Sequence, residues 1–262
     1  MSELAFCSGI GNKLRNHEKV CASWIQSGSA VNAEILAEAG FDMVVIDMEH
    51  SQTTLPGLVS MLQAMKGTGC FSMVRVPWND KVWMKHVLDC GVEGIHVPYV
   101  STREEAEQAV SFCKYPSQGV RGIAGSQRAV CYGQKKDEYY NRANKDGIVM
   151  IAIETLQGVE NIDEIVNVEG VDGIFIGPAD LSTSMGYLNN PEEPHVQEAI
   201  AKIEKCVFAS SKFLGTVAAN MNDAKVKYNK GYDLLYLMSD VVGLMNISKQ
   251  VVSSFQEYKK GK

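Results

Sequence analysis

Residues 41–50 read Phe41-Asp42-Met43-Val44-Val45-Ile46-Asp47-Met48-Glu49-His50. A strand is expected at Met43–Asp47, whose run Met43–Ile46 is apolar at every position, as a strand buried on both faces must be. It stops abruptly in an acid, a second acid and a histidine. Just upstream, Ala30–Ala39 places Val31, Ile35, Leu36 and Ala39 on one helical face, and Val20–Ile25 is another short apolar run. Strand, helix, strand is the smallest unit of a parallel sheet.

The same rhythm continues to the end of the chain. Further strands are expected at Ser72–Val76, Gly94–Pro98, Ile148–Ile153, Asp172–Ile176, Phe213–Ala218 and Leu234–Met238. Helices are expected at Thr102–Cys113, where Ser101/Thr102 followed by Glu104 and Glu105 form a capping pattern, and at Pro194–Ser210 and Val241–Tyr258. Eight such units in a chain of 262 residues match a closed (β/α)₈ TIM barrel, which takes ~250 residues, better than an open doubly wound sheet. The segment Lys114–Asp137 breaks the rhythm with Tyr115-Pro116-Ser117-Gln118-Gly119 and is expected to be a long loop. There is no linker or low-complexity tract, so residues 1–262 are read as one barrel domain.

Composition narrows the function. Hydrophobic residues make up 45% and charged residues 21% of the chain, which excludes a disordered protein. The net charge is −6, with no basic cluster, which argues against nucleic acid or an anionic membrane as partner. No apolar run approaches the ~20 residues of a membrane span, and Met1–Phe6 lacks the pattern of a secretory signal. The seven cysteines are odd in number and widely spaced, with no C-x-x-C. They suit reduced thiols in a cytoplasm.

In a barrel of this kind the chemistry lies at the C-terminal ends of the strands. The residues falling there are Asp47, Glu49 and His50; Arg75; Glu154; and Asp180, in the stretch Gly177-Pro178-Ala179-Asp180-Leu181-Ser182. Singly, each has a plainer reading. Asp47, Glu154 and Asp180 could cap helices, Glu49 could face a helix dipole, and Arg75 could pair Asp47 for stability. Together they converge on one rim. Carboxylates on neighbouring strands, without a cysteine nearby, suit a hard divalent cation, Mg²⁺ or Mn²⁺ with Co²⁺ as a further candidate, better than zinc. No lysine ends a strand, so a Schiff-base aldolase is excluded. Gly9-Ile10-Gly11 follows no strand and is no dinucleotide motif.

These pieces, with Val74-Arg75-Val76-Pro77, Ile153-Glu154-Thr155 and the stretch Glu169–Ser182, resemble the HpcH/HpaI aldolase family over residues 15 to 258. The resemblance implies a TIM barrel of the phosphoenolpyruvate/pyruvate-binding type and a class II, metal-dependent pyruvate aldolase. It implies His50 as base, Arg75 as the holder of the keto oxygen and stabiliser of the enolate, and Glu154 and Asp180 as metal ligands. Asp89 is implied to raise the basicity of the histidine. The backbone at Ala179 and Asp180 is implied to bind the substrate carboxylate, as N–H groups at a helix start can. Asp47 and Glu49 fall to supporting roles. Substrates are then a small 2-oxo acid and an aldehyde. The resemblance also implies a homo-oligomer, a hexamer whose last helix, about residues 240–258, is swapped between neighbours. One departure stands out: relatives carry a Gln where this chain has Ala152, which bears on the substrate. The alternatives are another lyase of the same metal–enolate kind, a 2-oxo acid decarboxylase or acyl-CoA lyase, and a barrel without catalysis.

Overall fold

The computed structural model describes residues 9–261; Cys7 and the start of the chain lie outside the described residues. Eight parallel strands close on themselves in sequence order. They are β1 (Val20–Ile25), β2 (Met43–Asp47), β3 (Phe71–Arg75), β4 (Gly94–Val97), β5 (Ile148–Ile153), β6 (Gly173–Ile176), β7 (Phe213–Val217) and β8 (Leu234–Ser239). Three match the expected bounds and the others shift by a residue at one or both ends. Around them run α1 (Ile10–Arg15), α2 (Ala30–Glu38), α3 (Leu55–Ala64), α4 (Lys81–Asp89), α5 (Arg103–Cys113), α6 (Lys136–Asp146), α7 (Leu156–Glu160), α8 (Ile162–Ile165), α9 (Pro178–Ser184), α10 (Pro194–Phe208), α11 (Met221–Lys230) and α12 (Asp240–Lys260).

Strand alternation divides the core in two. Met43, Val45, Phe71, Met73, Met150, Ala152, Phe175, Phe213 and Tyr236 fill the barrel interior, and Ile10 and Leu14 of α1 close its lower end. The intervening residues, such as Val44, Ile46, Val74, Ile151 and Ile174, pack outward against the helices. Gly173 makes room for this filling, since a Cβ there would overlap the Phe213 ring. Following the inward series one step further gives the site. Met43, Val45, then Asp47; Phe71, Met73, then Arg75; Met150, Ala152, then Glu154: the period of two sets all three polar residues on the inner face, above the apolar filling.

The expected loop at Lys114–Asp137 needs correction. Its second half holds a 3₁₀ turn, Arg128–Gly133, and α6 begins within it at Lys136. Arg121 pins the first half. Its guanidinium donates to Asp89 at 2.9 Å and to the Tyr139 hydroxyl at 3.2 Å, and it lies over the Tyr115 ring. One buried cation thus replaces the hydrophobic periodicity that would have announced ordered structure. The described cysteines are all unbridged, and among the described residues no helix is long and apolar enough to cross a membrane.

Candidate active site

Asp47 is fully buried at the end of β2. Its carboxylate accepts from five donors: the N–H groups of Glu49 and His50, Arg75 Nε at 3.0 Å and Nη2 at 2.8 Å, and Gln26 Nε2 at 3.1 Å. The backbone bonds fold the Asp47–His50 turn, and the paired bonds fix the plane of the Arg75 guanidinium. Burial alone would raise the Asp47 pKa. The hydrogen bonds and charge of Arg75, with Gln26 and the His50 N–H, outweigh it and hold the carboxyl below its usual range. Arg75 also meets Glu49 Oε2 at 3.1 Å and lies over the Trp24 ring, 4.3 Å from its centroid.

His50 projects from this turn into solvent, its side chain 55% exposed, with Nε2 3.8 Å from Glu49 Oε2. Across the rim Glu154 is 2% exposed. Its Oε2 accepts from the Tyr99 N–H at 3.0 Å, and the Tyr99 hydroxyl donates to Asp180 Oδ1 at 3.2 Å. Gly177 comes so close that a Cβ there would overlap the Glu154 carboxylate; only glycine lets the start of α9 approach it. Burial, with Glu49 and Asp180 adding to it, pushes the Glu154 pKa up to about 7, against the Tyr99 N–H and Arg75. Burial likewise raises Glu49, with Asp47 and Asp180 adding, against Arg75 and His50. Glu49 Oε2 is buried without a hydrogen bond of good geometry.

The residues expected at the rim therefore lie as follows. Asp47, Glu49, His50 and Arg75 form one connected group, and Glu154 and Asp180 a second, bridged by Tyr99. Ala179 and Asp180 open α9, whose first closing bond runs from the Leu181 N–H to the Gly177 carbonyl. Asp89 ends α4 and is held by Arg121; among the described residues no hydrogen bond or ion pair joins it to His50. Ala152 is buried in the interior filling. Among the described residues no three His, Cys, Asp or Glu form a ready cage for an ion. The donor set still fits a cation that takes one or two carboxylates and leaves its other positions to water and substrate, and the raised pKa of Glu154 marks a buried carboxylate short of positive charge.

Sequence reasoning passed over Gln26 and Tyr99. Both stand just past strand ends, of β1 and β4, so position was the signal. Gln26 links the rim to β8: Ser239 Oγ donates to its Oε1 at 2.8 Å while its Nε2 donates to Asp47.

Comparison with known proteins agrees with the fold. The chain is 37% identical to 5-keto-4-deoxy-D-glucarate aldolase of Escherichia coli O139:H28 over 234 residues, covering 89% of this chain and 91% of the relative. The crystal structure of a HpcH/HpaI aldolase/citrate lyase family protein from Burkholderia cenocepacia J2315 shares its fold with a TM-score of 0.91 at 31% identity, covering 95% of this chain and 99% of that one. The structure of citrate synthase SbnG aligns with a TM-score of 0.85 at 28% identity, covering 95% and 98%. The barrel and these likenesses define a carbon–carbon lyase. The HpcH/HpaI aldolase/citrate lyase family model matches residues 21–246, and the chain belongs to that family.

Proposed function

We propose that the protein is a divalent-metal-dependent aldolase that cleaves a 4-hydroxy-2-oxo acid to pyruvate and an aldehyde through the pyruvate enolate. The observation that carries this reading is charge. Asp47, Glu49 and Glu154 share the Arg75 guanidinium, Asp180 adds its charge to that of Glu49 and Glu154, and burial has lifted Glu154 to about 7. An anionic 2-oxo acid does not enter so acidic a rim unaided. Glu154 and Asp180 are the residues to hold Mg²⁺, Mn²⁺ or Co²⁺, which when bound supplies a Lewis acid for the 2-oxo group.

The chain's own residues do the rest. His50, exposed to solvent, takes the proton of the C4 hydroxyl through a water. The C4–O electrons form the aldehyde carbonyl as the C3–C4 bond breaks, and its electron pair becomes the enolate double bond. Arg75, aimed by Asp47, stabilises the enolate oxygen, a contact worth ~3–4 kcal/mol in comparable sites. The N–H groups of Ala179 and Asp180 receive the carboxylate. A proton delivered to C3 completes pyruvate. Asp89 is assigned to support the histidine on the resemblance alone. The relative's name places it on a keto-deoxy sugar acid; with Ala152 apolar and buried, recognition of the aldehyde portion falls to other rim residues.

A second reading, a different lyase of the same metal–enolate kind, rests on the likeness to a citrate synthase. One assay separates the two: pyruvate release from a panel of 4-hydroxy-2-oxo acids with Mg²⁺, Mn²⁺ and Co²⁺, before and after chelation. Activity is expected to vanish with chelator and return with metal, and borohydride with substrate should not trap the protein. Covalent trapping would replace this mechanism with a Schiff base. Absence of pyruvate release from every substrate would favour the second reading.

A further inference from the structure

We propose that Tyr99 is a positioning residue that sets both carboxylates of the cation site, so that Glu154 and Asp180 each offer the ion a single oxygen. The inference rests on the metal-dependent reading above and deepens it.

One residue engages both groups from opposite ends. The Tyr99 N–H donates to Glu154 Oε2 at 3.0 Å and its hydroxyl to Asp180 Oδ1 at 3.2 Å. Its backbone sits at φ 54°, in the left-handed region that a bulky side chain rarely adopts. Such a conformation persists only where its surroundings hold it, and it collects at functional sites. The ring is held as well, stacked on Trp78 with centroids 5.8 Å apart and planes at 27°. On the other side of Glu154, Gly177 comes close enough that a Cβ there would overlap the carboxylate.

The consequence concerns coordination. With Glu154 Oε2 and Asp180 Oδ1 committed to Tyr99, one oxygen of each carboxylate is left for the ion. Two single-oxygen carboxylates leave most of an octahedron to water and substrate oxygens, the arrangement Mg²⁺ and Mn²⁺ favour. Ca²⁺ prefers more oxygens and takes carboxylates through both. Tyr99 therefore both tightens the site and biases it toward the smaller octahedral ions.

The test is Tyr99→Phe, which removes the hydroxyl and keeps the ring, the stack and the backbone bond. Mn²⁺ is titrated into metal-free protein at fixed pH, by calorimetry or by the electron paramagnetic signal of free Mn²⁺, and Ca²⁺ competition is then measured. Removing a group that orients a metal ligand costs about 10–100-fold in affinity. The expected result is a tenfold or greater loss for Mn²⁺ and a narrower Mn²⁺-over-Ca²⁺ preference, with unchanged circular dichroism. Wild-type protein that binds no Mn²⁺ overturns the metal reading and this inference with it. Wild-type protein that binds while Tyr99→Phe binds within threefold, with the same preference, overturns the role of Tyr99 alone. If Tyr99→Phe fails to fold, Tyr99→Asn carries the test, because Asn tolerates the left-handed backbone and lacks the reach to Asp180; the same losses are expected.

Discussion

Glu154 and Asp47 stand on the same inner face of the barrel with opposite electrostatic fates, and the difference lies in their neighbours. Asp47 has Arg75 bound through two hydrogen bonds, whereas Glu154 has one backbone N–H and two nearby carboxylates. A carboxyl raised from its ordinary 4.5 to about 7 keeps a proton in the folded state that the unfolded chain has lost. Metal-free protein should therefore lose stability as pH rises from about 4.5 to 7, by about 3 kcal/mol at most. Carboxyls shifted the other way, Asp47, Asp223 and Asp240, act only below about pH 3.8, outside that window. Glu154→Gln should melt higher than wild type at pH 8 without metal and lose much of this slope, the remainder belonging to Glu49, which burial raises as well; an unchanged slope in urea melts across pH 5–8 would refute the shift. His50 and Arg75 are separable by a reaction that skips the base. Oxaloacetate decarboxylation needs the enolate stabiliser but takes no proton from a C4 hydroxyl. His50→Ala should cost aldol cleavage about 10²–10⁴-fold and spare much of the decarboxylation. Arg75→Lys should damage both, since an ammonium cannot copy the planar fork that Asp47 holds. Equal loss of both reactions in His50→Ala would move His50 from base to binding or structure.

Elements were legible in the sequence wherever burial left a period. Most strand positions are buried, so a nearly all-apolar run marked each strand, and β2 and β5 fall where Met43–Asp47 and Ile148–Ile153 predict. The start of α5 was equally clear: Thr102 Oγ1 accepts from the Glu105 N–H, and the Glu105 carboxylate accepts in return from the Thr102 N–H, a closed capping box. The segment after Lys114 was not, because its order comes from Arg121, Asp89 and Tyr139 meeting across distant stretches of chain, which no local pattern encodes. The site divides along the same line. Asp47, Arg75 and Glu154 continue the inward period of their strands and could be found by extending it. Gln26 lies one residue beyond β1 and Tyr99 two residues beyond β4. Gln26 extends the inward series Val20, Ala22 and Trp24, but its role depends on a side-chain amide oriented by Ser239; the role of Tyr99 depends on a left-handed residue that leaves no periodic trace.

At the scale of the whole molecule, α12 is the part a single chain does not explain. It runs for 21 residues, and only Asp240 is buried. Val241, Val242, Leu244, Met245, Ile247, Val251, Val252 and Phe255 are all exposed, on more than one face of the helix. Helices draw most of their stability from packing an apolar face, and a run this long and this apolar marks an interaction surface. Its first residue is nevertheless anchored: Asp240 accepts from the N–H groups of Gln26 and Ser27 and from Asn32. The helix thus leaves the barrel beside Gln26, which bonds Asp47. Burying an apolar side chain is worth about 1.5–3 kcal/mol, so covering several on each of two faces supplies ample free energy for assembly. We propose that a second copy of the chain covers them and, on the family resemblance alone, that the full assembly is a hexamer with this helix exchanged between neighbours. Light scattering at micromolar concentration should give a multiple of the 28.7 kDa chain mass, six by that resemblance. Leu244→Glu with Val251→Glu should lower that mass while the circular dichroism of the barrel persists, because both side chains are exposed. A monomeric wild-type mass would leave α12 needing a different partner, and an unchanged mass in the double variant would place the contact elsewhere on the barrel.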